Sequence, residues 1–363
     1  MKRLFIQSIL LGICHLCFSQ ITTNEPPISV LKGIVSENLY TNTRIINLAV
    51  PNMVKILYED SINSYKADML QRCAVKIPVS INMYEYGDWI DLDDGGKLWQ
   101  LSLIAKDAKS LDITFNKFWI PKGGKFFVFN PNTNETIGAV TSEYLLGNRE
   151  SPHRFSTGII KGDIITLEYY QPPSVEELPV IELSGIFYGY RVSNNKSLGF
   201  GYSGSCNINV NCAEGADWQF EKKAVARIYI KLTNDAGWCT GSLLNNTNND
   251  FSPLFLTANH CLVGVSETKD AITNPDASDW IFYWDYETEC SGSNSEPQSK
   301  TTVGAVIKAN NNYYSDFALL RLIQDPRNLS GFTPQYLGWD VSGNSGYQGA
   351  CIHHPKGDVK KYL

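Results

Sequence analysis

The chain has 363 residues, of which 43% are hydrophobic and 12% aromatic, enough to give two ordinary domains a core each. Its formal net charge is −6, with acidic residues spread along the whole length. That balance excludes the basic patch by which nucleic-acid and anionic-membrane binders are recognised.

The first twenty residues, MKRLFIQSILLGICHLCFSQ, carry Lys2 and Arg3, an apolar stretch from Leu4 to Phe18 and then the small Ser19. This is the layout of a secretory signal peptide over residues 1–20. The stretch is shorter than the about 20 residues a bilayer requires and is interrupted by Gln7 and His15, so an anchoring helix is the weaker reading. Ile13 before Cys14 also speaks against a lipid-modified cysteine. The expected location is therefore outside the cytoplasm, periplasmic or extracellular, with no membrane attachment once the signal is removed.

Residues 21 to about 76 show no decisive pattern. From about 84 to 192 short alternating strands succeed one another: KLWQLSLI puts Trp99, Leu101 and Leu103 on one face, SLDITF does the same with Leu111, Ile113 and Phe115, and KFFVFN and GDIITLEYY continue the series. IPKGG and NPNTNE supply turns between them, DLDDGGK at 91–97 reads as a hairpin turn without calcium-loop spacing, and QPPSVEELP at 171–179 is a loop by its prolines. An antiparallel, jelly-roll-like sandwich is expected. The Ser-, Asn- and Gly-rich stretch SNNKSLGFGYSGSC, residues 193–206, is the best boundary in the chain. Beyond it AVARIYIKL, PLFLTA, WIFYWDY, TTVGAVIKA and FALLRL predict more strands, with no long helix and no internal repeat. The fold class expected is all-β, with units at 21–200 and 201–363.

Removal of the signal leaves Cys73, Cys206, Cys212, Cys239, Cys261, Cys290 and Cys351, an odd number in an oxidising compartment. His260 ends the apolar run PLFLTA, beside Cys261. A bridge from Cys261 to Cys239 in WCTGSLL would close a loop of about twenty residues, worth roughly 3 kcal/mol by chain entropy, and would fix the turn that aims the imidazole. A histidine acting as a general base needs a carboxylate to hold its tautomer. Asp316 in YYSDFALLRL, at the head of a buried strand, is the candidate. Each residue alone fits a structural role; together they fit a serine-nucleophile hydrolase.

In order along the chain, GYSGSCNINVNC, CTGSLLNNT, FLTANHC, FYWDYETEC, SDFALLRL and IHHPKGDVKK resemble the lysyl endopeptidase family of secreted bacterial serine proteases with the trypsin fold. The likeness covers about residues 201 to 361 and implies a β-rich propeptide upstream, then a double β-barrel that is incomplete in this chain. It implies His260 as general base, Asp316 as its orienting carboxylate, disulfides Cys239 to Cys261 and Cys212 to Cys290, and maturation near Gly201, with Lys196 just upstream. The family's nucleophile lies in a GxSGSP-like turn well downstream of IHHP, and no such turn occurs before Leu363. Ser345 in GNSGY and Ser203 in GYSGS lack the right setting. The nucleophilic serine is thus expected to be absent, residues 1–363 inactive on their own, and Cys206 left without its partner.

His353 and His354 beside Cys351 could suggest a metal site, yet adjacent histidines on a strand face opposite ways and no spaced ligand set accompanies them. No metal and no cofactor is expected. The expected partner is a protein or peptide substrate, not nucleic acid, and the expected state is a monomer. A non-catalytic secreted binding module, in which the sandwich does the work, is the alternative.

Overall fold

The structure, a computed structural model, describes residues 25–34, 45–63, 69–144, 147–191, 200–264, 276–311, 315–344 and 348–363. The expected signal peptide, with Cys14 and Cys17, lies outside the described residues, as do Lys196 and Ser345. No helix among the described residues is long and apolar enough to cross a membrane.

The strands, in chain order, are β1 (Ile45–Asn47), β2 (Arg72–Asn82), β3 (Asp88–Asp91), β4 (Lys97–Ile104), β5 (Ser110–Trp119), β6 (Lys125–Phe129), β7 (Thr136–Val140), β8 (His153–Ser156), β9 (Ile160–Lys161), β10 (Ile164–Gln171), β11 (Val180–Gly189), β12 (Ile208–Asn209), β13 (Val225–Lys231), β14 (Asp235–Leu244), β15 (Leu254–Ala258), β16 (Ala277–Trp284), β17 (Lys300–Asn311), β18 (Phe317–Leu322), β19 (Ile352–His353) and β20 (Lys361–Tyr362). The all-β expectation holds.

One sheet runs β1-β4-β10-β6-β7, with β3 on β4. It faces β2, β11, β5, β8 and β9 across a core built from the alternation in the sequence. Trp99, Leu101 and Leu103 of β4 meet Ile113 and Phe115 of β5 and Ile186 of β11 in one buried cluster. The intervening positions of β4 serve the other face. Leu98 joins Ile28, Phe127 and Phe129 in a smaller cluster, and Gln100 donates to buried Glu168 at 2.8 Å. One pairing departs from the antiparallel expectation, since β1 runs parallel to β4.

Among the described residues of the undecided stretch 21–76 are two helices, α1 (Ile28–Leu31) and α2 (Met53–Asn63). Asn52 accepts from the Lys55 N–H at 3.1 Å, an N-cap that starts α2. Asp60 of this helix is buried against Arg72 at the head of β2.

The remaining large strands close on themselves in the order β13-β16-β17-β18-β15-β14, with β14 returning to β13. This is a six-stranded barrel, the first of the two that a trypsin-like fold requires. Its core takes alternate residues of β13, Ala226, Ile228 and Ile230, with Phe255, Trp280, Phe282, Trp284 and Leu320. Buried Arg227 lies on the opposite face of β13, its guanidinium 3.3 Å from the Tyr286 ring centre and 4.0 Å from that of Trp238. The short strands β12, β20 and β19 form a separate sheet.

The sandwich and the barrel share a sheet. One edge of β14 is split between two partners: β2 pairs with Asp235–Gly237, and β15 pairs with Ser242–Leu244. The sandwich core runs on into Tyr229, Ala236, Ile281 and Val303 of the barrel wall.

Candidate active site

The strand pairing explains why two residues 56 apart in sequence meet. β15 lies antiparallel to β18 with Ala258 opposite Phe317, so the end of one strand abuts the beginning of the other. The chain leaves β15 in a single 3-10 turn, Asn259–Leu262, and enters β18 from Asp316. The Asn259 N–H donates to the Asp316 carbonyl at 3.1 Å, which stitches turn to strand. Asn310 of neighbouring β17 adds a side-chain bond to the Asn259 Oδ1 at 2.7 Å.

Asp316 holds His260 twice. One carboxylate oxygen accepts from the His260 backbone N–H at 2.8 Å, and the other lies 2.7 Å from Nδ1. With an ionised carboxylate on Nδ1, that nitrogen carries the proton and Nε2 is left as a basic lone pair. The imidazole is 27% exposed and the carboxylate 48%, so the pair opens to solvent. Asp316 adopts φ +41°, a left-handed backbone that costs a non-glycine residue of order 1 kcal/mol. The two hydrogen bonds to His260 offset that cost.

The turn is tied down from a third side. Cys261 is bonded to Cys239 of β14, across a sequence separation of 22. The Thr257 hydroxyl donates to the Thr240 carbonyl at 2.8 Å between the same two strands. Ligand atoms of Cys239, His260 and Cys261 lie within 4.8 Å of one another, yet both sulfurs are spent on each other, and the group offers one imidazole nitrogen.

Cys212 and Cys290 form the second bridge, fastening the segment before β13 to the loop after β16. Cys73, Cys206 and Cys351 are free; Cys73 is buried, which pushes its thiol pKa up, while Cys206 and Cys351 are exposed. His354 is buried, its Nδ1 2.9 Å from the Asp358 carbonyl, and His353 is half-buried beside it. Burial lowers both imidazole pKa values, and for His354 the neighbouring Lys360 lowers it further. Ser203 donates to Asp358 through both its hydroxyl and its N–H, and the Gly201 N–H binds the same carboxylate at 2.7 Å. Ser203 therefore anchors the start of the barrel segment. Sequence reasoning passed over Asp358, Asn259 and Asn310; the Asp in HHPKGD with an apolar residue after it was the available signal for the first.

Residues 200–363 match the family model described as the C-terminal domain of lysyl endopeptidase. The chain is also 31% identical over 291 residues to a lysyl endopeptidase of Pseudomonas aeruginosa, an alignment that takes in 76% of this chain and 59% of that protein. The chain thus spans about three fifths of the curated relative that it matches.

Proposed function

The chain belongs to the lysyl endopeptidase family, and from that premise we propose that it is part of the precursor of a secreted serine endopeptidase. In this reading residues 1–20 direct export, 21–200 form a propeptide and 201–363 contribute the first barrel of the catalytic domain. His260 acts as general base and Asp316 as the carboxylate that orients it.

The observation that carries the reading is the double grip of Asp316 on His260, at Nδ1 and at the backbone N–H, with Nε2 left open. Such an imidazole can take the proton of a serine hydroxyl as that oxygen attacks a peptide carbonyl, and can return it to the leaving amine. The carboxylate keeps the proton on Nδ1 and stabilises the imidazolium formed in between. Residues 1–363 supply the base and its orienting acid; the serine and the amides that would stabilise the oxyanion come, by the family pattern, from a GxSGSP-like turn after IHHP. A substrate with lysine before the cut bond is the family's expectation.

Two measurements test this. A fluorophosphonate probe should leave purified residues 1–363 unlabelled, and labelling at Ser203 or Ser345 would overturn the assignment of the nucleophile. In the product of the whole gene, cleavage after lysine should fall about 10⁶-fold in kcat on His260→Ala, by the measure of triad histidines elsewhere. Cleavage that survives the substitution would refute the role of His260.

A further inference from the structure

The turn that carries His260 is anchored toward two opposite sides of the barrel wall. β15, which leads into it, lies between β14 and β18, and β17 is the strand beyond β18. Toward β14 the anchor is the disulfide from Cys261 to Cys239. Toward β17 it is Asn259, whose Oδ1 accepts from the Asn310 side-chain amide at 2.7 Å. The registers show how far that bond reaches. Ala258 stands opposite Phe317 of β18, and Phe317 stands opposite Asn311 of β17, so Asn259 and Asn310 belong to strands separated by the whole width of β18. Two strand spacings amount to roughly 9.6 Å, and the paired amides close that gap across the first residues of β18.

Asn259 holds the other arm of the same hairpin as well. β17 and β18 are consecutive antiparallel strands, with Asn310 near the end of the first and Asp316 at the head of the second. The Asn259 N–H donates to the Asp316 carbonyl at 3.1 Å. One residue thus grips both arms, and the next, His260, presents its backbone N–H and Nδ1 to the Asp316 carboxylate at 2.8 Å and 2.7 Å. Packing alone does not account for an asparagine at this place. Asn259 is 4% exposed, and a buried amide is costly unless it is hydrogen-bonded, whereas an alanine would carry no such cost. Nor is the backbone at Asp316 at rest: its φ of +41° is one that a non-glycine residue keeps only when its surroundings hold it there.

We propose that Asn259 and Asn310 are positioning residues for the His260–Asp316 pair. Their side-chain bond holds the Asp316 hairpin against the His260 turn at the spacing where one carboxylate meets both donors. The inference rests on the catalytic reading of that pair. Asn310 acts through Asn259, and Asn259 through the backbones of Asp316 and His260. Release of the bond lets the hairpin relax and spoils the aim of the base, so the loss falls on kcat and not on KM.

The test reads the pair in two ways. In residues 1–363, ring NMR follows the exchange of the His260 Nδ1 proton with water. That exchange should be at least about tenfold faster in Asn259→Ala and in Asn310→Ala, and no faster in the double variant than in the quicker single one, because both substitutions remove one bond. In the product of the whole gene, each variant should lower kcat for cleavage after lysine by about tenfold or more, with KM changed by less than about twofold. Asn310 is exposed, so Asn310→Ala should fold even where Asn259→Ala does not. Parent-like proton exchange and kcat in Asn310→Ala would overturn the assignment, as would losses that add in the double variant or that follow the fraction of unfolded protein. Should His260→Ala still cleave, the catalytic reading falls while the Nδ1 exchange still decides whether the bond holds the pair. Should His260→Ala be inactive and Asn310→Ala parent-like, the positioning role alone falls.

Discussion

Replacing Asp316 by asparagine separates the orienting role of the carboxylate from its contribution to the fold. Asp316 accepts from two donors on His260, the backbone N–H at 2.8 Å and Nδ1 at 2.7 Å. An asparagine has one acceptor oxygen and one donor amide for the same two places. If its oxygen keeps the backbone N–H, its NH₂ faces Nδ1, which must then give up its proton and move it to Nε2. The base is thereby blocked with little movement of atoms. The fold should lose little, since the carboxylate is 48% exposed and such a solvent-screened pair contributes about 1 kcal/mol or less. Activity of the whole gene product should lose about 10⁴ in kcat, the effect of this tautomer change in the serine-protease triad, equivalent to about 5.5 kcal/mol of transition-state stabilisation. Nitrogen NMR of the His260 ring in residues 1–363 reads the tautomer without any nucleophile, and should show Nδ1–H in the parent and Nε2–H in Asp316→Asn. A parent ring with its proton on Nε2, or a kcat loss of less than about tenfold, would refute the reasoning.

Three further outcomes are expected. Cys239→Ser with Cys261→Ser opens a loop of separation 22 and should lower stability by about 3 kcal/mol in urea titration, whereas the free Cys206→Ser should change it by less than about 0.5 kcal/mol. Gly237→Val drives a side chain onto the Gln71 carbonyl and should cost about 1–3 kcal/mol, a penalty absent from Gly292→Ala apart from the strain of its positive φ, since nothing lies within 4 Å of a Cβ there. Burial holds the His354 pKa well below the ordinary imidazole range, so the folded chain favours the neutral ring. The stability that this provides is complete above the unfolded pKa of about 6.5 and is lost as pH falls below it, by at most about 1.4 kcal/mol per pH unit. His353 adds in the same direction. His354→Gln should therefore flatten the fall of Tm between about pH 6.5 and 5, and an unchanged slope would show that the ring is protonated in the folded chain.

The strands whose alternation is clean were legible in the sequence: β4, β5, β6, β10, β13, β15, β16, β17 and β18 all fall where their apolar periods put them. The meeting of Asp316 with His260 was expected on chemical grounds, because a general-base histidine needs a carboxylate, and from the family resemblance; the pairing of β15 with β18 that brings them together is seen only in the fold. β2 was not legible, for a physical reason. RCAVKIPVSIN carries Arg72, Lys76 and Pro78, which read as an edge or a loop, yet the strand is central, between β14 and β11. Pro78 is tolerated because the ladder to β11 skips a residue there, passing in register from Leu183 to Gly185, so the missing N–H falls at a bulge. Arg72 is tolerated because its partners Asp60 and Asp235 are buried with it.

The same blindness hid the polar contacts between sandwich and barrel. Asp112 and Lys231 each occupy a strand position where alternation calls for a solvent-facing polar residue, and each is 1% exposed because the other arrives from a distant part of the sequence. A pattern of period two can say that a side chain leaves its own core; it carries no information about a second body waiting on that side. The consequence bears on His260. The sandwich leaves the imidazole and Asp316 open to solvent and instead occupies the strand edge next to them, where β2 pairs with Asp235–Gly237. A small reagent should therefore reach Nε2 with the sandwich in place, because the imidazole is 27% exposed while the Asp235–Gly237 edge is paired with Arg72–Val75.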